Sequence, residues 1–440
     1  MNRYVRMAQP LLMAGALRGA TLSLALKVAG SVLNVVMLTL AARSMGPQEF
    51  GEFALWFNAV SFLAVVAGGG QEKLVIRSWN EYLGSGQFGL ARGALVIGAA
   101  TSAVVALLVA ALCLVPALLT NAPASLLVTA SLFLILQTVY TYSLHATRAI
   151  LGVGHSDVHE ITWRMVVILA ACCGILLGRP LGVVGIFAFA TLGTALALSL
   201  QLWSVLLGLP PAVREAVSQF EFGSWASRSL RMWSAGILEA ANQYLEVLVI
   251  GLVLSPVAAG GYYVASRFAN VFAMVAGALN TFSAREIALH HYGAEAFRAL
   301  DTLRKVSLIS AFLVAAGLAV VIGAGRELLN LFGPDFVSEY ALLIVLSIGT
   351  ACVTLAGPAP AVLLVTGHEG LYSRIIAVAG AGRGLAVPLL AWIFGPIGAG
   401  AASTGVSICA ALALTIACRR CTGLDPALTV LFSKPMRTLP

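Results

Sequence analysis

Residues 93–147 read GALVIGAATSAVVALLVAALCLVPALLTNAPASLLVTASLFLILQTVYTYSLHAT, and between Arg92 and Arg148 no Asp, Glu, Lys or Arg interrupts them. A helix needs roughly 20 apolar residues to cross the hydrocarbon core of a bilayer, and every backbone amide inside that core must be paired within the chain. The stretch is long enough for two crossings, with Pro116, Asn121 and Pro123 marking the turn between them.

Working outward, other runs free of those charges extend from Phe53 to Gln71, Val247 to Ser266, Val306 to Gly325, Ala341 to His368 and Gly384 to Cys418. Twelve spans fit: 19–42, 51–70, 93–116, 124–147, 162–178, 182–207, 229–254, 260–282, 304–325, 340–366, 371–394 and 396–418. The composition agrees. Only 10% of the 440 residues are charged and 60% are hydrophobic, with a mean hydropathy of +0.95. Soluble domains carry about 25% charge, so a water-exposed globule is excluded and the expected class is an all-α integral membrane protein.

Lys and Arg concentrate on one side of this layout. Arg43, Arg179 and Arg326 fall in the opposite turns, and Lys27, Arg267 and Arg383 lie deeper within spans. The bias puts both termini in the cytoplasm, and the net charge of +8 reads as a topology signal suited to anionic lipid headgroups rather than to nucleic acid. Arg3, Arg6 and Arg18 ahead of an apolar run resemble a secretory signal, but the run continues into a full span and is read as an uncleaved first helix. The seven cysteines fall in helices or at their cytoplasmic ends, which argues against disulfides.

A repeat appears at a spacing of about 210 residues. Arg43-Ser-Met-Gly-Pro-Gln-Glu-Phe-Gly is echoed by Leu252-Val-Leu-Ser-Pro-Val-Ala-Ala-Gly, Gly154-His155 by Gly367-His368, and Pro180-Leu-Gly by Pro396-Ile-Gly. Six crossings per half is even, so the halves are parallel repeats about an axis along the membrane normal, with a cleft expected between them. The expected domains are a six-helix bundle over 1–207, a cytoplasmic connector over 208–228 read as an amphipathic helix, a second bundle over 229–418 and a tail over 419–440.

Five ionisable side chains sit well inside expected spans: Lys27, Glu239, Glu246, Arg267 and Arg383. At about 2.5–3.5 kcal/mol each they oppose insertion by roughly 12–18 kcal/mol unless paired or wetted. Glu239, Asn242, Gln243 and Glu246 share a helix face, as do Ser23, Lys27 and Asn34. The repeat aligns Asn34 with Gln243 and Asn58 with Arg267. One shared central cavity is expected, lined by Lys27, Asn34, Asn58, Arg267, Asn270 and Arg383, with Glu239 and Glu246 as ion-coupling residues. The competing reading is a structural Glu246–Arg267 ion pair, with Lys27 or Glu239 reaching to an interface and Arg383 packing against a neighbour.

No loop is large enough for a catalytic domain and no carboxylate pair with a His lies in the short periplasmic turns, so an enzyme is not expected. His155-Ser-Asp157-Val-His159-Glu160 reads as an interhelical loop before it reads as a metal site, and Cys418 to Cys421 lacks a second pair. No phosphate-cradling loop is present and no cofactor is expected, which leaves an ion gradient or the membrane potential as the energy source.

The chain resembles the polysaccharide transporter family of the multidrug/oligosaccharidyl-lipid/polysaccharide exporter superfamily, which contains the O-antigen and exopolysaccharide flippases. The carriers are Arg43 to Gly51, Gly70 to Arg77, Tyr244-Leu-Glu246 with Gly251, Gly260 to Arg267, Leu328 to Phe336 with its Phe332-Gly333-Pro334, and the glycine-rich start of the last helix. The resemblance implies a V-shaped pair of bundles. It also implies a flippase that moves undecaprenyl-diphosphate-linked oligosaccharide across the bacterial inner membrane by alternating access, for O-antigen (lipopolysaccharide), capsule or exopolysaccharide export. A polysaccharide polymerase and a chain-length regulator are its implied partners, beside the lipid-linked oligosaccharide and the phospholipid bilayer. Glu246 resembles the acidic residue of the family's seventh helix and Arg267 the basic residue of its eighth. This chain departs at Asn280-Thr-Phe-Ser-Ala-Arg, where the family often has Pro, and at Arg383, where it often has Asn. The second departure implies a more cationic cavity, suited to an acidic glycan or a diphosphate. A multidrug/cation antiporter of the same superfamily and a non-transporting scaffold of a polysaccharide assembly complex are the alternatives.

Overall fold

The structure is a computed structural model that describes residues 26, 28–118, 123–292 and 296–432. Among the described residues it is helical, without strands. The chain divides into two compact units, Met1–Leu245 and Glu246–Pro440.

The first unit contains α1 (Val28–Met45), followed by α2 (Pro47–Gly68), α3 (Gln71–Gly84), α4 (Phe88–Leu118), α5 (Ala124–Leu151), α6 (Val153–Leu176), α7 (Val183–Gly208), the short α8 (Pro211–Glu215), and α9 (Phe222–Val253) as far as Leu245. The second holds the rest of α9, α10 (Pro256–Tyr292), α11 (Ala296–Asn330), α12 (Tyr340–Leu355), α13 (Ala359–Val365) and α14 (Glu369–Thr422). Among the described residues ten helical stretches are long and apolar enough to cross a bilayer. One of them, α14, is two helices meeting at Gly395, whose φ of 69° breaks the helical path just before Pro396. With that division and α10, which is long but less apolar, a helix stands at each of the twelve expected positions among the described residues, the start of the first lying outside them.

Each unit is organised around its fourth span. In the first, α5 packs against α2, α4, α6 and α7; in the second, α12 packs against α10, α11 and α14. Pro47 and Pro256 begin α2 and α10, where a proline costs no hydrogen bond. Threonine bridges repeat in register to within a residue. Thr138 of α5 donates to Ala64 O of α2 at 3.5 Å, and Thr354 of α12 to Phe272 O of α10 at 3.0 Å. Thr191 of α7 donates to Thr129 O of α5 at 3.5 Å, and Thr404 in the second half of α14 to Val345 O of α12 at 3.0 Å. Lipid tails give helices little reason to associate, so such bridges and close packing hold the bundle. Leu252, Leu176 and Trp392 are correspondingly exposed.

The second echo is displaced. In the first unit the chain turns at Gly152, φ 92°, and Gly154-His155 already lies in the first turn of α6; in the second it turns at Gly367, φ 79°, with His368 as the N-cap of α14.

Two features depart from the sequence reading. The expected loop after the second span is the helix α3, which starts after Gly69 and Gly70 have both taken left-handed backbone (φ 59° and 73°). A Cβ on Gly70 would meet Ser229 O at 2.6 Å and Trp233 N at 2.8 Å, so glycine lets α9 press on the break. The connector is not an amphipathic helix on the leaflet. Beyond the five residues of α8 it runs extended along α4: Gln219 N–H donates to Gly89 O at 3.0 Å, and Arg92 donates to Arg214 O and Ala216 O at 2.6 and 2.8 Å. The reason is the bare face of α4, since a Cβ on Gly93 would sit 1.8 Å from Gln219 O.

Candidate functional site

Glu246 opens the second unit's share of α9, and its carboxylate is met from two other helices. Tyr262 Oη of α10 donates to its Oε2 at 2.6 Å, and Ser403 Oγ of α14 donates to Oε1 at 2.7 Å. Arg383 Nε, also from α14, stands 3.4 Å from Oε1, with the Glu246 side chain 16% exposed and Arg383 23%. Arg383 Nη2 donates to Ser407 Oγ at 2.6 Å, and Ser407 Oγ donates to Ser403 O at 2.8 Å. Positive charge and two hydroxyl donors offset the loss of water around the carboxylate.

The first unit has no such cluster at the corresponding positions. The offset of 209 residues between Pro47 and Pro256 pairs Glu246 with Met37 and Tyr262 with Phe53; that of Thr191 and Thr404 pairs Ser403 with Ala190; that of Gly152 and Gly367 pairs Arg383 with Ile168. All four are buried and apolar. Phe53 there belongs to an aromatic core with Phe50, Phe57 and Phe187, ring centroids 5.5–5.9 Å apart. The same framework closes on rings in one unit and on charges in the other. Packing alone does not require the charges.

Arg267, on α10, does not pair with Glu246. Its Cζ lies 4.4 Å from the centroid of the Tyr263 ring one turn earlier, a cation–π stack. Its Nε is buried without a hydrogen-bond acceptor among the described residues. The ion pair that sequence reasoning weighed as Glu246–Arg267 is Glu246–Arg383. Asn270, one turn beyond Arg267, is exposed.

The remaining expected residues belong to the first unit. Asn58 is wholly buried and donates to Ala54 O of its own helix at 2.7 Å, so it lines no open space. Asn34 is half-buried on α1. Lys27 lies outside the described residues. Glu239 is exposed and pairs with Lys73 of α3 at 3.3 Å; with Gln243 it borders a cavity between α2, α3, α5 and α9. The polar stripe of the seventh span thus supplies Glu239 and Gln243 to that cavity and Glu246 to the cluster in the second unit.

Sequence reasoning missed Tyr262, Ser403, Ser407, Lys73 and Glu72. Tyr262 lay in the quoted Gly260–Arg267 motif; the serines carried no signal apart from their positions on an otherwise apolar helix. No group of three metal-ligating side chains occurs among the described residues. In the His155–Glu160 stretch Asp157 pairs with Arg148 at 3.2 Å and His159 bonds Ser204 at 3.1 Å, so that segment ties helices together.

No protein-family profile matches the chain, and no curated protein matches it. Solved structures do. A multidrug resistance MATE family transporter of the MOP superfamily, inward-facing, superposes with a TM-score of 0.65 at 12% identity over 91% of this chain and 98% of that one. The lipid II flippase MurJ, inward closed, gives 0.68 at 12% identity over 90% and 87%. A mutant of the Vibrio cholerae MATE transporter VcmN gives 0.58 at 15% identity over 91% and 97%. The chain is therefore a multi-pass membrane protein with the fold of the MOP-superfamily transporters.

Proposed function

We propose that this protein is a flippase for undecaprenyl-diphosphate-linked oligosaccharide, working by alternating access in the bacterial inner membrane with both termini cytoplasmic. The observation that carries the reading is the Glu246–Arg383 pair with its hydroxyl donors, set where the first unit holds apolar side chains. A MOP-fold relative that flips lipid II supports it. Arg267, with an unfilled buried donor, and Arg383 are the groups that grip the diphosphate or acidic sugars, because guanidinium matches phosphate and carboxylate oxygens in pairs. Glu246 and the cargo compete for Arg383: a proton or metal cation on Glu246 frees the guanidinium for the anion, and departure of that cation returns it to the carboxylate. The diphosphate is thereby linked to an ion gradient while the lipid tail stays in the bilayer.

The test is reconstitution into vesicles with the lipid-linked oligosaccharide and an imposed proton or sodium gradient, reading the fraction of glycan accessible outside. Glu246→Gln should abolish the response to the gradient; an unchanged response removes Glu246 from coupling. Arg267→Gln and Arg383→Gln should reduce flipping of anionic glycans more than neutral ones, and equal losses would count against recognition of the glycan. The likeness to MATE transporters favours a multidrug/cation antiporter as the second reading. Efflux of a cationic dye without flipping in the same vesicles would establish it, and neither activity would leave a scaffold for the polymerase and chain-length regulator.

A further inference from the structure

The cavity in the first unit encloses about 320 Å³ between α2, α3, α5 and α9. Beside amide and hydroxyl groups from Ser61, Gln137 and Gln243, its wall carries acceptors that no donor meets. Thr138, Thr141 and Tyr142 reach its wall, but their hydroxyls are already engaged: Thr138 shares its proton between Leu134 O at 2.9 Å and Ala64 O at 3.5 Å, and Thr141 and Tyr142 donate to Gln137 O and Leu95 O at 2.8 Å. His145 Nδ1 bonds Thr141 O at 2.8 Å, and a carbonyl accepts only, so Nδ1 carries a proton, and in the neutral form of the ring Nε2 is the acceptor. Glu72 Oε2 and Gln137 Oε1 are buried with no hydrogen-bond partner among the described residues.

Charge runs the same way. Lys73 pairs with Glu239 at 3.3 Å, with side chains 41% and 76% exposed, so this pair marks the open side. Glu72 remains as the uncompensated carboxylate deeper in. Gly236 of α9 keeps the space open: a Cβ there would find only Lys73 Nζ at 3.8 Å and Glu72 Oε1 and Val65 Cγ1 at 3.9 Å. With unmet acceptors beside Glu72, one net negative charge and room for about ten waters at roughly 30 Å³ each, the chamber has space for a cation larger than a bare metal ion.

We propose that this cavity is a second binding site, separate from the Glu246 cluster, for a primary ammonium group, with Glu72 as its counter-ion and His145 and Gln137 as acceptors for its N–H donors. The ammonium comes either from a free alkylamine or from an ethanolamine lipid headgroup.

The test is calorimetric titration of the full chain in detergent with ethanolammonium chloride, against choline chloride, which has no N–H donor, and sodium chloride. Ethanolammonium should bind saturably and choline and sodium at least about tenfold more weakly, the cost of lost hydrogen bonds to a charged group. Glu72→Gln, nearly equal in shape, should weaken ethanolammonium at least tenfold, Gly236→Leu should block it by filling the space, and Glu246→Gln should leave it unchanged. Sodium or choline binding as tightly, or wild-type affinity in Glu72→Gln, overturns the proposal. In nanodiscs, loss of the ethanolammonium signal with phosphatidylethanolamine but not with phosphatidylglycerol identifies the headgroup as the source; retention in both identifies a free amine. The readout is binding, so it stands or falls independently of flipping.

Discussion

Removing the charge from Glu246 while keeping its shape tests the electrostatic account of the cluster. Gln at 246 keeps one oxygen acceptor and puts an NH2 donor where the other stood, so of Tyr262 and Ser403, which donate to different oxygens at 2.6 and 2.7 Å, one must turn its hydroxyl to accept, and the rest of the loss falls on Arg383. Breaking a fully buried ion pair costs about 3–5 kcal/mol, and an exposed one is worth about 0–1 kcal/mol. With 16% and 23% of the side chains exposed and a single contact of 3.4 Å, the pair falls between these limits, and Glu246→Gln should cost about 2 kcal/mol. Arg383→Gln should cost a similar amount. The double variant should lose less than the sum, giving a coupling energy of about 1–2 kcal/mol, because neither charge is then stranded. The assay is a double-mutant cycle on unfolding in detergent, with Ser407→Ala as a third corner, since Ser407 holds the far side of the guanidinium. A coupling energy below about 0.5 kcal/mol, the scatter expected of independent sites, would refute the claim that the two charges sustain one another.

Three further outcomes follow from the packing. Gly70→Ala places a Cβ 2.6 Å from Ser229 O on a residue at φ 73°, so it should cost at least about 1–3 kcal/mol, seen as a lowered melting temperature in detergent; a wild-type transition would mean that α9 does not press on the break. Gly93→Ala should displace the connector from α4 and raise protease cleavage within residues 216–221, and unchanged cleavage would contradict the close approach. Thr354→Val should cost about 0.6 kcal/mol, the average for a hydrogen bond between membrane helices. Thr138→Val should cost less, because its bridge is 3.5 Å long against 3.0 Å; the reverse order in a thermal series would undo the comparison.

The spans were legible because a bilayer imposes a length and an apolar composition that single segments must satisfy alone. The prolines of the first turns and the glycine at 367 were legible because turn chemistry is local. What failed to show is what depends on a distant surface. The sequence 216–221 is extended because glycines of α4, more than a hundred residues earlier, leave a bare strip for it. α3 is charged enough to pass for a loop, and its helix is stabilised by burying Leu74, Trp79 and Tyr82 against α4 and α9, where Trp225 Nε1 donates to Tyr82 Oη at 2.7 Å. At the site, their depth in apolar spans identified Glu246, Arg267 and Arg383 as costly residues in need of partners, but the one ion pair considered, Glu246–Arg267 in the competing reading, named the other arginine. The nearer one in sequence stacks on its own helix, and the choice is made by how α14 packs. Asn58 was expected to line open space because it is polar, and it instead bonds its own helix in a sealed core.

The break at Gly69 and Gly70 bears on how the chain is made. Carbonyls at the end of α2 are served from α9: Val66 O accepts from Trp233 Nε1 at 2.8 Å across 167 residues, and Gly69 O accepts from Ser229 Oγ across 160. Val66 O also accepts locally from Gly69 N–H at 3.4 Å, but the side-chain donors from α9 reach both carbonyls only once the seventh span has emerged from the ribosome. The first compact unit runs to Leu245, so a truncation after the sixth span would leave the translocon with an unfinished product.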